Sequence, residues 1–566
     1  MKFSEIPYSR PDGGETKALF AALTERLKNA QSYDEAKGVF LEYEENTKRV
    51  NTMDLVAYIR RVMNRQDEFY KEENEFWLDF EPEIDKYTKA WAEAMLDSPF
   101  RDEFAAEFGD MMFLNAGFDR KSMSDDIIGD MQRENELLDE YSDLMDEVDK
   151  IPFEGGVADC DEIEKYKEDA DGGRRLAAFK AEGACWREQV ADRLDKVFDE
   201  LVSLRCGMGE KMGCGYIDLS YRKLRRTFTK EDVAKFREAV VKYVVPVADA
   251  IKREQAKRIG RPYPMAYSDN EYFFKNGNPH PAGDEEYVVN EGRKFFESLS
   301  PEAGEFFRHM IDDEMMLVHA GGGNDIYLPL YETPFLMVEL DGSGDSVRSF
   351  MHEAGHTFAY WMNRKRIPTD YITPSEDITE LHSMCMELMA LSHAEGFFGP
   401  DAKKFVYSLL GESVAFITYG TMVDHFQHSV FEHPDMTPAE RHAEWLRLES
   451  IYEPWIAFDK EMPYYGEGML WQQQAHIYES PFMYIDYVLT GVVGLEVWAL
   501  MQKDPKEAWE RYMALISQGG SHPFTELLKN AGLSSPFDEE CLKTACETAR
   551  EWLGGFELTG PERPES

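Results

Sequence analysis

From Thr16 to about Leu204 apolar residues return at intervals of three and four, which predicts a succession of helices over the first third of the chain. Ile127, Met131, Leu138, Tyr141, Met145 and Val148, with Asp and Glu between them, read as one amphipathic helix with an acidic outer face. Asp97, Ser98 and Pro99, and later Gly155 and Gly156, punctuate the run as turns. The four glycines between Cys206 and Gly215 read as a turn between helices, because no Gly-Lys-Ser/Thr ending follows to hold a phosphate. This places a boundary near residue 205, with an N-terminal helical lobe (1–205) and a second lobe (206–566). Helical pattern resumes over Ala234 to Arg258 and, after a Pro-, Gly- and Asn-rich loop from Arg261 to Gly283, over Asp284 to Val318.

The period changes once. His319 to Gly323 ends in three glycines, and Ile326 to Leu330 and Phe335 to Leu340 read as short strands around Tyr331, Glu332, Thr333 and Pro334, a small sheet at about 319–340. The free edge of such a sheet can pair with an extended peptide; an ordinary hairpin covering the core fits these residues equally well. Two helices follow, at about 346–363 and 375–394. The first has Ser343 or Asp345 as its cap and Val347, Phe350, Met351, Ala354, Phe358 and Trp361 on its apolar positions. From Tyr371 onward the chain reads as helical, with turns at Gly396 to Pro400, Gly411, Pro434 to Pro438, Pro463 to Gly468 and Gly519 to Pro523. The end, Gly555 to Ser566, reads as a loose tail.

The helix at 346–363 carries the chemistry. His352, Glu353, Ala354, Gly355 and His356 spell H-E-x-x-H, and residues four apart on a helix face one point, so the two imidazoles can share a metal ion. A random chain with 13 His in 566 residues would show this pattern roughly 0.03 times, so chance is a weak explanation. Neutral imidazoles suit zinc, and Glu353 is placed to take a proton from a water on it. A catalytic zinc needs a third protein ligand. Glu376, Asp377, Glu380 and Glu387 are on offer, and Glu380, Ser383 and Glu387 share one stripe of the 375–394 helix. Glu380 then serves as ligand while Glu387, two turns on, accepts the second N–H of His352; spacing alone leaves Glu376 open beside Glu380.

Composition narrows the partners. With 62 basic against 109 acidic residues the formal charge is -47, which argues against nucleic acid or an anionic membrane. Seven scattered cysteines without a C-x-x-C pair suggest neither a disulfide framework nor a cysteine zinc site. The first eleven residues have no apolar core behind basic residues, and no apolar run of about 18 occurs, so a cytoplasmic protein is expected.

His352 to His356, followed by Glu380, Leu381, His382, Ser383, Met384, Cys385, Met386 and Glu387, resembles the H-E-x-G-H and E-x-x-S-x-x-x-E pair of the thimet oligopeptidase and oligoendopeptidase F family of zinc metallopeptidases. Tyr331 to Phe335 is similar to that family's substrate-side strand, and His425 to His428, His476 to Tyr487 and Gly519 to Ser521 to its later blocks. The opening Met1 to Pro11 resembles the bacterial Pz-peptidase-type members. Ser480, Pro481 and Phe482 stand where the thimet branch has a Gly-rich loop. The resemblance implies a mainly α, two-lobed helical enclosure around a deep channel, with the small sheet beside the zinc helix. It implies one zinc per chain on His352, His356 and Glu380, with Glu353 as general base, Glu387 behind His352, and Tyr487 and His476 at the oxyanion. Tyr484, Gly322, Gly323 and Phe335 would contact substrate. By their residues alone Tyr484 and Tyr487 read more readily as core aromatics, and His425 and His428 as structural. The expected activity is hydrolysis of internal bonds in short unfolded peptides. The alternatives are another H-E-x-x-H zinc peptidase acting on chain ends, or a peptide-binding protein without turnover.

Overall fold

The computed structural model describes residues 1–457 and 462–556; all but the first two residues of the expected tail lie outside the described residues. The chain is mainly helical, from Gly13–Lys28 to Glu539–Gly554, with a few small sheets. Polar caps start many helices: Asp12, Ser32 and Asp67 each accept from main-chain N–H groups in the first turn of the helix that follows.

The helices gather into two compact units, each assembled from three separate stretches. The first holds Met1–Lys121, His280–Gly399 and Leu500–Leu533; the second holds Ser122–Pro279, Pro400–Ala499 and Ser534–Ser566. The boundary expected near 205 is not where the units part. Residue 205 lies inside helix Ala191–Lys211, which runs straight through the first glycines of the supposed turn. Gly209 is there because a Cβ would stand 2.8 Å from Tyr216 N, so the helix can pass close to the next one. Glu154 and Gly155, with φ 49° and 80°, turn a short antiparallel hairpin, Ile151–Phe153 with Gly156–Ala158, that helical periodicity did not reveal.

In the second unit, aromatic rings make much of the core. Trp471 packs on Phe198 with centroids 4.7 Å apart and stacks on Tyr478 at 5.8 Å.

In the first unit, helix α1 (Tyr33–Met63) stacks Tyr43 on Trp91, with ring centroids 3.9 Å apart. Three strands form the sheet: β1 (Met316–Leu317), β2 (His319–Leu328) and β3 (Thr333–Glu339). Their order is β1-β3-β2, so β2 is an edge strand. Antiparallel pairing sets Ile326 opposite Phe335 and Leu328 opposite Thr333, with an irregularity between His319 and Asn324. The second strand is longer than expected at its start. Pro329–Tyr331 form a tight turn instead of its end, and Glu332 takes the left-handed conformation (φ 49°).

Helix α2 (Gly344–Asn363) follows, and of the two candidate caps Ser343 serves, accepting from Ser346 N–H at 3.0 Å. Phe358 packs among Phe296 and Phe306, with centroids 5.8 and 5.3 Å away, so this face of the helix is locked to the two helices before the sheet. Helix α3 (Glu376–Ala390) crosses the opposite face, and a tight turn at Leu391–His393 ends it four residues earlier than expected. At the crossing, a Cβ on Gly355 would stand 2.8 Å from both Ser383 Cα and Met386 Cβ. Backbone touches backbone there, and no side chain fits. We predict that Gly355→Ala forces the helices apart and destabilises the protein by about 1–3 kcal/mol. An unchanged thermal unfolding temperature would show that the crossing yields without cost.

Candidate metal centre

The helix period and the crossing together build the centre. His352 and His356 lie one turn apart on α2, and α3 brings Glu380 to them from 24 residues downstream. One ligand atom from each of the three lies within 4.8 Å of the others. His352 Nε2 is 3.2 Å from Glu380 Oε2, and His356 Nε2 is 3.8 Å from Glu380 Oε1. The other nitrogen of His352, Nδ1, faces Glu387 Oε2 at 3.3 Å. Arg348, one turn before His352, donates through Nε to Glu387 Oε1 at 2.8 Å, and Ser383 Oγ donates to Glu380 Oε2 at 3.0 Å. Both carboxylates are therefore fixed by donors of this chain.

The local field favours positive charge. Burial alone would pull the His352 proton affinity down, but the carboxylates of Glu380 and Glu387 outweigh it and raise the imidazole well above its ordinary range. Burial would raise Glu380, and the two histidines instead hold it down at about 2. Two imidazoles and an ionised carboxylate at one point, the first imidazole oriented by a second carboxylate, are a donor set that fits zinc. A second group of possible ligands, Asp325, Glu353 and His356, shares His356 with the first. One ring nitrogen of His356, Nε2, faces both Asp325 and Glu380, so the two sets compete for it. The set with two imidazoles suits zinc better, and it leaves Glu353 free.

Glu353 is almost wholly buried. Burial pushes its carboxyl up to about 8, helped by Asp325 and Glu380 and partly opposed by His352. Gly323 of β2 makes room for it, since a Cβ there would lie 2.5 Å from Glu353 Oε1. The glycine-rich start of the strand is thus a condition for Glu353 to sit beneath the strand.

Glu376 stands apart from the three-ligand group, and burial, reinforced by Glu380, pushes its carboxyl up to about 7. Between the two carboxylates left open by spacing, geometry selects Glu380. Gly322 is exposed with open space around it. Phe335, expected to touch substrate, does not line the site: it is fully buried, its ring 4.6 Å from that of Phe3, because Thr333 to Val338 of β3 are buried on both faces. His476, Tyr484 and Tyr487 come together in the second unit, with ring centroids 5.0 to 5.7 Å apart. Gln474 Nε2 lies 3.0 Å from His476 Nδ1, and Tyr419 OH donates to Gln474 Oε1 at 2.9 Å. His425 Nδ1 lies 3.0 Å from Tyr452 OH, and among the described residues no metal-binding group of three includes His425 or His428. Arg348 and Asp325 are the participants that sequence reasoning missed. The spacing of four from Arg348 to His352 was a usable signal for the first; the approach of Asp325 to His356 is tertiary and left none.

Residues 3–123 match the Peptidase M3 N-terminal domain and residues 325–546 match Peptidase family M3. Oligopeptidase PepF of Bacillus subtilis (strain 168) is 25% identical over 238 residues, which span 40% of this chain and only 33% of that protein. Among solved structures, Pz peptidase A with an inhibitor superposes with a TM-score of 0.90 at 35% identity, covering 99% of this chain and 100% of that one. A protein from Bacillus anthracis strain Ames assigned as an oligoendopeptidase F gives a TM-score of 0.84 at 33% identity, covering 98% and 99%. Likeness of this extent, along nearly the whole length of both chains, has one explanation: the chain belongs to peptidase family M3, and by that membership is a metallo-oligopeptidase.

Proposed function

We propose that the protein is a zinc-dependent oligoendopeptidase that hydrolyses internal bonds of short unfolded peptides in the cytoplasm. The observation that carries the reading is the convergence of His352, His356 and Glu380, with Glu353 beside them and outside that group of three. No described helix is long and apolar enough to cross a membrane, and the net charge of -47 does not suit nucleic acid.

His352, His356 and Glu380 would hold one zinc per chain, with Glu387 and Arg348 fixing the ring of His352 and Ser383 fixing Glu380. Zinc bound there supplies Lewis acidity, which polarises a carbonyl and makes water a stronger acid. Glu353 takes the proton of the attacking water and returns it to the leaving amine nitrogen; a buried carboxyl with raised proton affinity suits both transfers. The family resemblance gives Tyr487 and His476 the role of donors to the oxygen of the attacked carbonyl, where hydrogen bonds strengthen as negative charge develops. Tyr484 contacts the peptide, and Gly322 and Gly323 let an extended backbone approach β2 closely.

The deciding experiment uses a quenched-fluorescent peptide blocked at both ends, offered to metal-stripped protein before and after one equivalent of zinc. Internal cleavage restored by zinc is expected; cleavage that needs a free terminus would sink the endopeptidase reading. Glu353→Gln is predicted to keep one zinc per chain while kcat falls at least about 100-fold, and residual activity above about a hundredth removes Glu353 as the base. Tyr487→Phe is predicted to lower kcat about 100-fold with little change in KM. A change confined to KM would make Tyr487 a binding residue. Glu387→Gln is predicted to weaken zinc about 10- to 100-fold in competition with a chelator, and unchanged affinity would show that His352 needs no carboxylate behind it.

A further inference from the structure

In the first unit, helix α1 runs along β2, and two hydrogen bonds and one close approach mark its course. Thr52 Oγ1 accepts from Leu330 N–H just beyond the strand, at 2.9 Å. Tyr58 OH accepts from Asn324 Nδ2 at 3.4 Å. In the turn after the helix, Arg65 Nη2 stands 3.5 Å from the point where a Cβ on Gly321 would sit. The helix therefore tracks the edge strand back to its glycine-rich start, two residues before the glycine that lies against Glu353.

Two arginines close this track. Arg61 donates through Nη1 to the main-chain oxygen of Arg65, which ties the turn down, while the side chain of Arg65 is exposed. Among the described residues neither guanidinium is ion-paired with a carboxylate. In a chain with 109 acidic residues against 62 basic ones, cations left without an acid are against the odds. Glu339 on the neighbouring strand does not serve them: its carboxylate accepts from Gly321 N–H at 2.9 Å and lies 3.8 Å from His319 Nδ1. An exposed guanidinium beside the start of the edge strand, with its donors unspent, is suited to a carboxylate.

We infer that Arg65, whose main chain is tied down by Arg61, is a subsite for a carboxylate of the bound peptide, either its C-terminus or an acidic side chain. The inference rests on the peptidase reading above. An extended strand rises about 3.3 Å per residue, so the two steps from Gly321 to Gly323 place the favoured carboxylate about two to three residues from the bond beside Glu353. A protein of net charge -47 repels anionic peptides at a distance, and this contact gives back a local preference and sets their register.

The test measures peptide binding to zinc-loaded Glu353→Gln protein, which keeps peptides intact, by fluorescence anisotropy. One peptide core is offered with a free C-terminus, with an amidated C-terminus, and amidated with Glu or Gln near its end. At least one carboxylate form is expected to bind about three- to fivefold more tightly than its neutral counterpart, the scale of one solvent-screened charge contact. Adding Arg65→Gln should erase that preference and leave Kd for the neutral peptides unchanged, and Arg65→Lys should restore part of it. Whichever pair shows the difference identifies the source of the carboxylate. Lys506→Gln, which removes another exposed cation of the same unit, controls for net charge. The inference is overturned if no carboxylate form is preferred, if Arg65→Gln weakens all peptides alike, or if Lys506→Gln has the same effect. Absence of hydrolysis by the unmodified protein would overturn the peptidase reading alone, since the binding comparison needs no turnover.

Discussion

The centre depends on one steric fact, that helices α2 and α3 meet backbone to backbone at Gly355 and Ser383. Glu380 is a short side chain on a separate helix, and it reaches the imidazoles only because that approach is allowed. Ser383 pays its part twice over, being small enough for the contact and holding Glu380 by a hydrogen bond. The aromatic packing of Phe358 on the far side of α2 then prevents the helix from retreating. Position of the ligands and packing of the core are one arrangement, because interiors at this density transmit a displacement of a few tenths of an ångström.

The same crossing decides the electrostatics. Burying Glu380 and Glu387 costs several kcal/mol each unless positive charge and donors meet them. Arg348 meets Glu387, and His352 lies between the two carboxylates. The centre is therefore an acidic cluster stabilised by cations, and a divalent ion held by the imidazoles and Glu380 would complete the compensation. Glu353 is buried beside this network without being bound into it, which is why its carboxyl is raised while that of Glu380 is lowered. Two glutamates of one site acquire opposite characters from their partners, and the roles of ligand and base proposed for them match that division.

Much of this was legible in the sequence because it is local. The spacing of His352 and His356 needs only the helix period, and the stripe of Glu380, Ser383 and Glu387 needs nothing more. Choosing Glu380 over Glu376 required the crossing, which no local pattern encodes. Phe335 misled because β3 is buried on both faces, so the alternation that separates a core residue from a substrate-facing one is missing. Arg348 was overlooked because an arginine on a helix usually reads as solvated surface. The boundary near 205 failed for a different reason: each unit is drawn from three distant stretches, and periodicity along the chain carries no record of which stretches fold together.

The segment between His476 and Tyr487 shows how a loop can be made rigid without regular structure. Phe482 adopts φ 70°, a conformation that costs a bulky residue of order 1–3 kcal/mol. Three contacts within the second unit hold it there. Ser220 Oγ donates to Pro481 O at 2.9 Å, Arg226 Nη2 donates to Phe482 O at 2.5 Å, and Phe482 N–H donates to Gln427 Oε1 at 2.8 Å. Arg226 is buried and is itself anchored by Asp486 at 2.8 Å, so the clamp cannot relax by moving into water. A glycine in place of Phe482 would reach the same backbone angle freely and leave it as freely. Here the strain is retained because the surroundings over-determine it, and the Tyr484 and Tyr487 side chains that follow leave the loop in fixed directions. The role proposed for Tyr487 gains from such fixity, since none of the stabilisation is then spent on bringing the hydroxyl into line.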